Sequence, residues 1–393
     1  VPKSLSLRAG LGSVLFWSVI SAAFIGPGTV TTCAMAGSRF GVSLLWTLMF
    51  STLGTVLLQE AAARVTIASG LSLGELLTQI YGPRIRWLMV LLFGTVTLGC
   101  AAYQAGNILG AVSGLGLLTG LSTPVLTALT GLVCITLLWQ GSTRFIANML
   151  GLVVFGMGIA FAYVATSASP DPAELIRSLV TPTLPPDSTV LVIGLIGTTI
   201  VPYNLFLGSG IGQGQSLAEM RWGIGLAVLI GGLISMAILL SGTLVSGEFS
   251  FQTVAQTLEN RLGRWAGSLF SFGLFAAGFT SALTAPLAAA VTGRSLLGWR
   301  EGSWAYRATW LSVMIVGLTF GMLEVKPVPV IVLAQATNGL LLPLVAVFLL
   351  VAVTNKAILP VAYRNRPWQT VAMLFVVVVT AFLGLRNLWL AVF

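Results

Sequence analysis

Two short stretches carry the polar groups that could do chemistry in an otherwise apolar chain. Phe24-Ile25-Gly26-Pro27-Gly28-Thr29-Val30-Thr31-Thr32-Cys33 interrupts an apolar run from Leu11 to Phe40. Val201-Pro202-Tyr203-Asn204 interrupts a second run from Val190 to Gly212. Glycine and proline free backbone N–H and C=O groups, and inside a bilayer such groups persist only where they line a cavity or are buried in protein. Two interrupted segments in corresponding halves of one chain point to the binding site of a secondary transporter. The chemistry available there is recognition through carbonyls, hydroxyls and amides. No nucleophile-base pair and no metal-ligating constellation is visible, so an enzyme is not expected, nor a cofactor.

The remaining polar residues are few. Gln104 and Asn107 lie three apart, on one helix face, with Tyr103, Gly106 and Gly110 nearby. Long amides in a membrane helix face the bundle interior, and one reading gives them helix packing alone, at roughly 0.6 kcal/mol each. Glu60 stands four residues before Arg64, the spacing of an ion pair on one helix face; the other reading makes it a coupling group. There is no histidine. Cys33, Cys100 and Cys134 fall inside apolar runs, where they act as small fillers and imply no disulfide framework.

The elements that must position these residues are membrane helices. Hydrophobic residues make up 56% of the 393 and charged residues 7%, a balance that requires lipid as solvent. Apolar runs predict eleven spans. Span 1 covers Leu11 to Phe40, span 2 Leu44 to Arg64, span 3 Trp87 to Gly114, span 4 Thr123 to Trp139 and span 5 Asn148 to Ala165. Span 6 covers Val190 to Gly212, span 7 Gly223 to Ser246, span 8 Trp265 to Val291, span 9 Ala308 to Leu323, span 10 Val328 to Val353 and span 11 Thr370 to Leu388. The first run is too long for a cleavable signal sequence.

With the N-terminus cytoplasmic, 13 of the 19 basic residues fall inside and 6 outside, as the positive-inside rule demands. Eleven spans then leave the C-terminus outside. The net charge of +9 is therefore a topology signal, and a nucleic-acid partner is not expected. Trp87, Trp139, Trp265, Trp304 and Trp368 sit at span ends as interfacial anchors. Gly273, Ala277, Ser281 and Ala285 form a small-residue stripe on span 8, which reads as helix packing.

Spans 1–5 and 6–10 form two five-helix halves, each led by an interrupted span. The organisation is a single transmembrane domain: residues 1–166 as a first inverted repeat, 167–189 as a Pro-rich extracellular linker, 190–353 as the second repeat, and 354–393 as a loop and span 11. This all-α plan corresponds to the leucine-transporter (LeuT) fold, with helices 1 and 6 broken at mid-membrane.

At these residues the sequence resembles the Nramp family of proton-coupled divalent-metal transporters over nearly its whole length. Gly26-Pro27-Gly28-Thr29 lies where the family carries Asp-Pro-Gly-Asn, and Ala36-Gly37-Ser38-Arg39-Phe40-Gly41 is similar to the family's next stretch of helix 1. Leu58-Gln59-Glu60-Ala61-Ala62-Ala63-Arg64 looks like the end of the family's helix 2. Val201-Pro202-Tyr203-Asn204-Leu205-Phe206-Leu207 lies where it carries Met-Pro-His-Asn-Leu-Tyr-Leu, and Gln335-Ala336-Thr337-Asn338-Gly339 fits its helix 10. The resemblance implies that Gly26, Thr29 and Val201 stand at the family's Asp, Asn and Met metal ligands. It puts Tyr203 at the His associated with proton handling, and Gln104 and Asn107 at the acidic pair of helix 3. It also implies that Gly28, Thr29, Thr32, Thr198, Thr199, Tyr203, Asn204, Gln335 and Asn338 line the substrate cavity, with Tyr103, Gln104, Asn107 and Glu60 along the pathway.

Every anionic or soft ligand is thus replaced by a neutral side chain. Desolvating a divalent ion without carboxylates or thiolates is costly, so no protein metal site is expected. The expectation is an alternating-access transporter, monomeric in the bilayer, for a small polar organic solute and without the family's proton relay. Two alternatives stand beside it: a carrier of a hydrated divalent cation such as magnesium or manganese, and a transport-inactive receptor or scaffold.

Overall fold

The computed structural model of the chain describes residues 25–82, 86–141, 144–211, 216–355 and 359–392. These residues form α1 (Pro27–Phe40), α2 (Leu45–Ser69), α3 (Leu73–Tyr81), α4 (Arg86–Thr119), α5 (Thr123–Gln140), α6 (Arg144–Thr166) and α7 (Pro172–Val180). Next come α8 (Thr189–Thr199), α9 (Pro202–Ile211), α10 (Leu217–Gly242), α11 (Phe251–Leu262), α12 (Arg264–Leu297), α13 (Trp304–Met322), α14 (Pro327–Thr354) and α15 (Pro367–Val392). Each predicted span has its helix, and span 6 is the pair α8–α9. The part of span 1 before Ile25 lies outside the described residues.

Three helices were not expected. α3, α7 and α11 lie in connections read as loops, including the linker between the halves. Each starts at a polar cap: Ser72 and Ser250 in reciprocal capping boxes, and the Asp171 carboxylate accepting from Ala173 N–H. They are 9 to 12 residues long, too short to span a membrane. The predicted boundaries also run short: α2 extends to Ser69, five residues past Arg64, and α4 to Thr119.

Among the described residues, seven helical stretches are long and apolar enough to cross a bilayer, Thr189–Phe206 being counted through its break. α2 is outside that set; its polar residues Ser51, Thr52, Thr55, Gln59, Glu60 and Arg64 are buried within the bundle. The polarity of the fold is inside-out: α1, α2, α4, α8, α12 and α14 all carry buried polar side chains, while leucine, valine and phenylalanine cover the outside. On α15, Val371, Leu374, Phe375, Val378, Phe382 and Leu385 face outward at helical spacing, and Met373, Val376, Val377, Thr380 and Leu383 face the bundle.

The long helices α4 and α12 pack along each other, and α14 lies against α8. α1 crosses α10 at backbone contact. A Cβ on Gly37 would overlap the Leu239 carbonyl, and one on Gly242 would overlap the Ala34 carbonyl. This reciprocal pair of glycines fixes α1, and with it the first break, against the second half of the chain. Gly242→Ala forces backbone against backbone and is expected to cost at least the roughly 1–3 kcal/mol of an overpacked core. Gly225→Ala, on the same helix with open space around it, is expected to be neutral. Thermal melting of the two detergent-solubilised variants checks the difference.

Candidate substrate site at the broken helices

The first break is set by Gly26, whose backbone is extended (φ −94°, ψ 178°) before Pro27 opens α1. Pro27 has no N–H to leave unpaired and its fixed φ suits the first helical position. Its ring lies on α4 where Gly110 has no side chain, and a Cβ there would overlap it. The second break runs through Ile200 and Val201, neither helical, before Pro202 opens α9. The N-termini of α1 and α9 bring partial positive charge to the breaks, and the C-terminus of α8 brings partial negative charge.

Hydroxyls bridge the two breaks and cap their carbonyls. Thr29 Oγ1 and Thr198 Oγ1 are 2.9 Å apart, joining α1 to α8. Tyr103 Oη on α4 donates to the Gly197 carbonyl at 2.7 Å, and Thr55 Oγ1 on α2 donates to the Thr199 carbonyl at 3.1 Å. Two last-turn carbonyls of α8, which its own helix cannot satisfy, thus find partners on two other helices. Thr32 donates to Gly28 O one turn back, at 2.7 Å. Val201 and Tyr203 are buried, and the Tyr203 ring meets Tyr103 edge-on with centroids 5.7 Å apart.

Two amides reach the breaks without partners. Asn204, in the first turn of α9, is fully buried with neither its oxygen nor its nitrogen hydrogen-bonded. Gln335 on α14 lies over Gly28 so closely that a Cβ there would overlap its amide, and its Oε1 also has no partner. Ser281, read in the sequence as part of a packing stripe, faces the first break: its Oγ is 3.3 Å from where a Gly26 Cβ would stand. Nothing in the spacing of the stripe marked it. The signal would have been that it is the stripe's one hydroxyl.

Two expected lining residues turn elsewhere. Gln104 donates to the Ala282 carbonyl at 3.0 Å and to Met314 Sδ at 3.2 Å, so its amide packs α4 against α12 and α13. Asn338 donates to Gly99 O at 3.2 Å and to Ala334 O at 3.1 Å, tying α14 to α4. Asn107 packs its backbone on α12 at Gly278, and its Nδ2 is buried without a partner. Glu60 is held in an ion pair with Arg64 (3.1 Å) as its spacing foretold, and with Arg221 of α10 (2.9 Å), which the sequence did not show. Cys33 is buried, and no group of three histidine, cysteine or acidic residues gathers among the described residues.

The description "Natural resistance-associated macrophage protein-like" (Nramp) belongs to the family model that matches residues 18–390. The chain belongs to the Nramp family. A divalent metal cation transporter, MntH, of Deinococcus radiodurans is 27% identical over 385 residues, covering 93% of this chain and 87% of that protein. The crystal structure of the Eremococcus coleocola manganese transporter superposes with a TM-score of 0.79 at 21% identity, over 98% of this chain and 88% of the other. Mhp1, a nucleobase-cation-symport-1 family transporter with bromovinylhydantoin bound, superposes at 0.64 with 14% identity, over 96% and 92%. The Nramp fold is of the LeuT type, so this chain is a multi-pass membrane protein of a transporter family, with α8–α9 as its broken sixth helix.

Within this Nramp-family chain, Tyr103 is the side chain on which the second break leans most. Removing the hydroxyl leaves the buried Gly197 carbonyl unpaired, at a cost of about 1–3 kcal/mol. Tyr103→Phe is therefore expected to melt well below the parent protein. Tyr203→Phe, whose hydroxyl makes no hydrogen bond among the described residues, is expected to melt close to it.

Proposed function

We propose that the chain is an alternating-access transporter of a divalent cation that keeps much of its water. The observation that carries this reading is the pair of buried, unpartnered amide oxygens, Asn204 Oδ1 and Gln335 Oε1, at the breaks of an Nramp fold. Neutral oxygens do not offset the cost of stripping a divalent ion, but they accept hydrogen bonds from its water shell. Magnesium, which dehydrates reluctantly and keeps several waters, suits such a site. Soft transition metals are selected by thiolate, thioether or imidazole, and Gly26, Thr29, Val201 and Tyr203 supply none of these.

An organic solute, the reading first favoured by the neutral lining, would use the same oxygens. The fold does not choose between them, since the Mhp1 structure holds a hydantoin. The substrate class in the relatives' names supports the cation. In this proposal the N-terminus is cytoplasmic, residues 1–166 and 190–353 are the inverted repeats that rock about the breaks, and the protein works as a monomer. Gly26, Gly28, Thr29, Thr32, Thr198, Tyr203 and Asn204 face the ion's water shell together with Gln335 and Ser281.

Saturable magnesium influx into proteoliposomes is the expected result. Asn204→Leu and Gln335→Leu each lower it at least tenfold, while Ser113→Ala on α4, whose hydroxyl bonds only its own helix, leaves it unchanged. Calorimetry with manganese is expected to show no micromolar binding; a stoichiometric micromolar heat would replace the hydrated ion with a directly ligated one. Absence of any divalent-cation flux, alongside saturable uptake of an organic solute, would reverse the choice of substrate.

Coupling follows from the same residues. With no acid at the breaks and Glu60 held between two arginines, cation influx is expected not to acidify the vesicle lumen, as read by a trapped pH-sensitive dye. Acidification that depends on substrate and vanishes in Glu60→Gln would instead make Glu60 the coupling group.

A further inference from the structure

A cavity of about 350 Å³ is lined by Val56, Leu57 and Glu60 of α2, Leu217 and Arg221 of α10, Arg364 and Arg366 before α15, and Trp368 and Gln369 at its start. Its volume lies in the range of small-molecule sites. Its charge is one-sided. Glu60 is the one acid in the lining, and it is already neutralised from behind by Arg64, which is almost wholly buried and fully committed. The Arg64 Nε holds both Glu60 oxygens at 3.1 Å, and its other nitrogens donate to the Tyr363 carbonyl and to Asn365 Oδ1. Arg221 shares that one carboxylate with Arg64, and no second acid lines the pocket among the described residues.

Two of the three lining arginines have nitrogens to offer. Arg221 is half exposed and uses Nε on Glu60. Arg366 is exposed, and its side chain makes no hydrogen bond or ion pair among the described residues. Arg364 donates from Nε to the Leu359 carbonyl, which holds it at the pocket wall. Planar forks of this kind match the oxygens of a phosphate two at a time.

We propose that this pocket binds the phosphate group of an anionic membrane lipid. Position and walls both favour a lipid. α10 and α15 both begin at this pocket, at Leu217 and Pro367, so it lies at a membrane boundary. Trp222 and Trp368 beside it are both 60% exposed, as aromatic side chains at the headgroup level are. Val56, Leu57 and Leu217 supply an apolar side for the glycerol and upper acyl carbons. Basic pockets between membrane helices recognise lipid headgroups by this combination. The site does not depend on which solute crosses the bundle.

The test uses the full-length protein, delipidated in detergent, with phosphatidylglycerol, phosphatidylcholine and inorganic phosphate as separate probes. Native mass spectrometry is expected to show phosphatidylglycerol retained at least tenfold more tightly than phosphatidylcholine. Arg366→Gln is expected to lower that preference about tenfold, and Arg366→Lys, which keeps the charge and loses the fork, to fall between. The Glu60–Arg221 pair is untouched in both variants, so the melting temperature in phosphatidylcholine is expected to be that of the parent. Equal retention of the two lipids, or an unchanged preference in Arg366→Gln, would overturn the proposal. So would thermal stabilisation by inorganic phosphate that needs Arg366 while phosphatidylglycerol gives none, which would assign the site to a soluble phosphate.

Discussion

The carbonyls at the end of α8 impose the constraint on which the rest of the bundle depends. A helix that stops in mid-membrane leaves polar groups that lipid cannot satisfy. Here Tyr103 reaches Gly197 from α4, Thr55 reaches Thr199 from α2, and Thr198 meets Thr29 on α1. Three helices are thereby held to one interruption. The glycines answer the same demand, because helices that satisfy each other's backbones must approach closely. Gly110 makes room for Pro27, Gly28 for Gln335, and Gly37 and Gly242 for each other's helices.

The buried amides differ in how fully they are paired. Asn338 is paired with its own helix and with α4, and Gln104 donates from Nε2 to two neighbouring helices while its Oε1 stays unpaired. Asn204 and Gln335 carry unpaired polar atoms in equally buried positions. An unpaired buried amide is expensive, and in a membrane protein such residues mark the path of a polar substrate. Asn204 is left with both of its polar atoms unpaired, and it stands in the first turn after the second break.

Much of this was legible in the sequence. Span positions come from hydropathy, because lipid demands about 20 apolar residues per crossing. The breaks come from Gly26-Pro27-Gly28 and from Pro202. The Glu60–Arg64 pair is local, four residues apart, and could be read directly. Arg221 could not: it joins that pair across 161 residues, and only tertiary packing brings it there. The same limit applies to Gln104 and Asn338, since a helix face says that a side chain points inward but not which neighbour it meets. α3 and α11 were missed although their serine caps are visible, because short amphipathic helices at the interface carry no apolar run.

The neighbourhood of Gly26 bears on how such a site can change over time. At this position the backbone has no side chain, and the nearest foreign atom is the Ser281 hydroxyl. A carboxylate introduced there alone would enter a setting of hydroxyls and amides, with no cation among the described side chains of the breaks to balance it, and an unpaired buried charge is strongly destabilising. The order of substitutions is therefore not free. A lineage crossing between this neutral site and a charged one would meet its least stable sequence at the first acidic step, unless a bound ion or a second change arrived with it. An acid at position 26 is thus tied to the cation that would balance it.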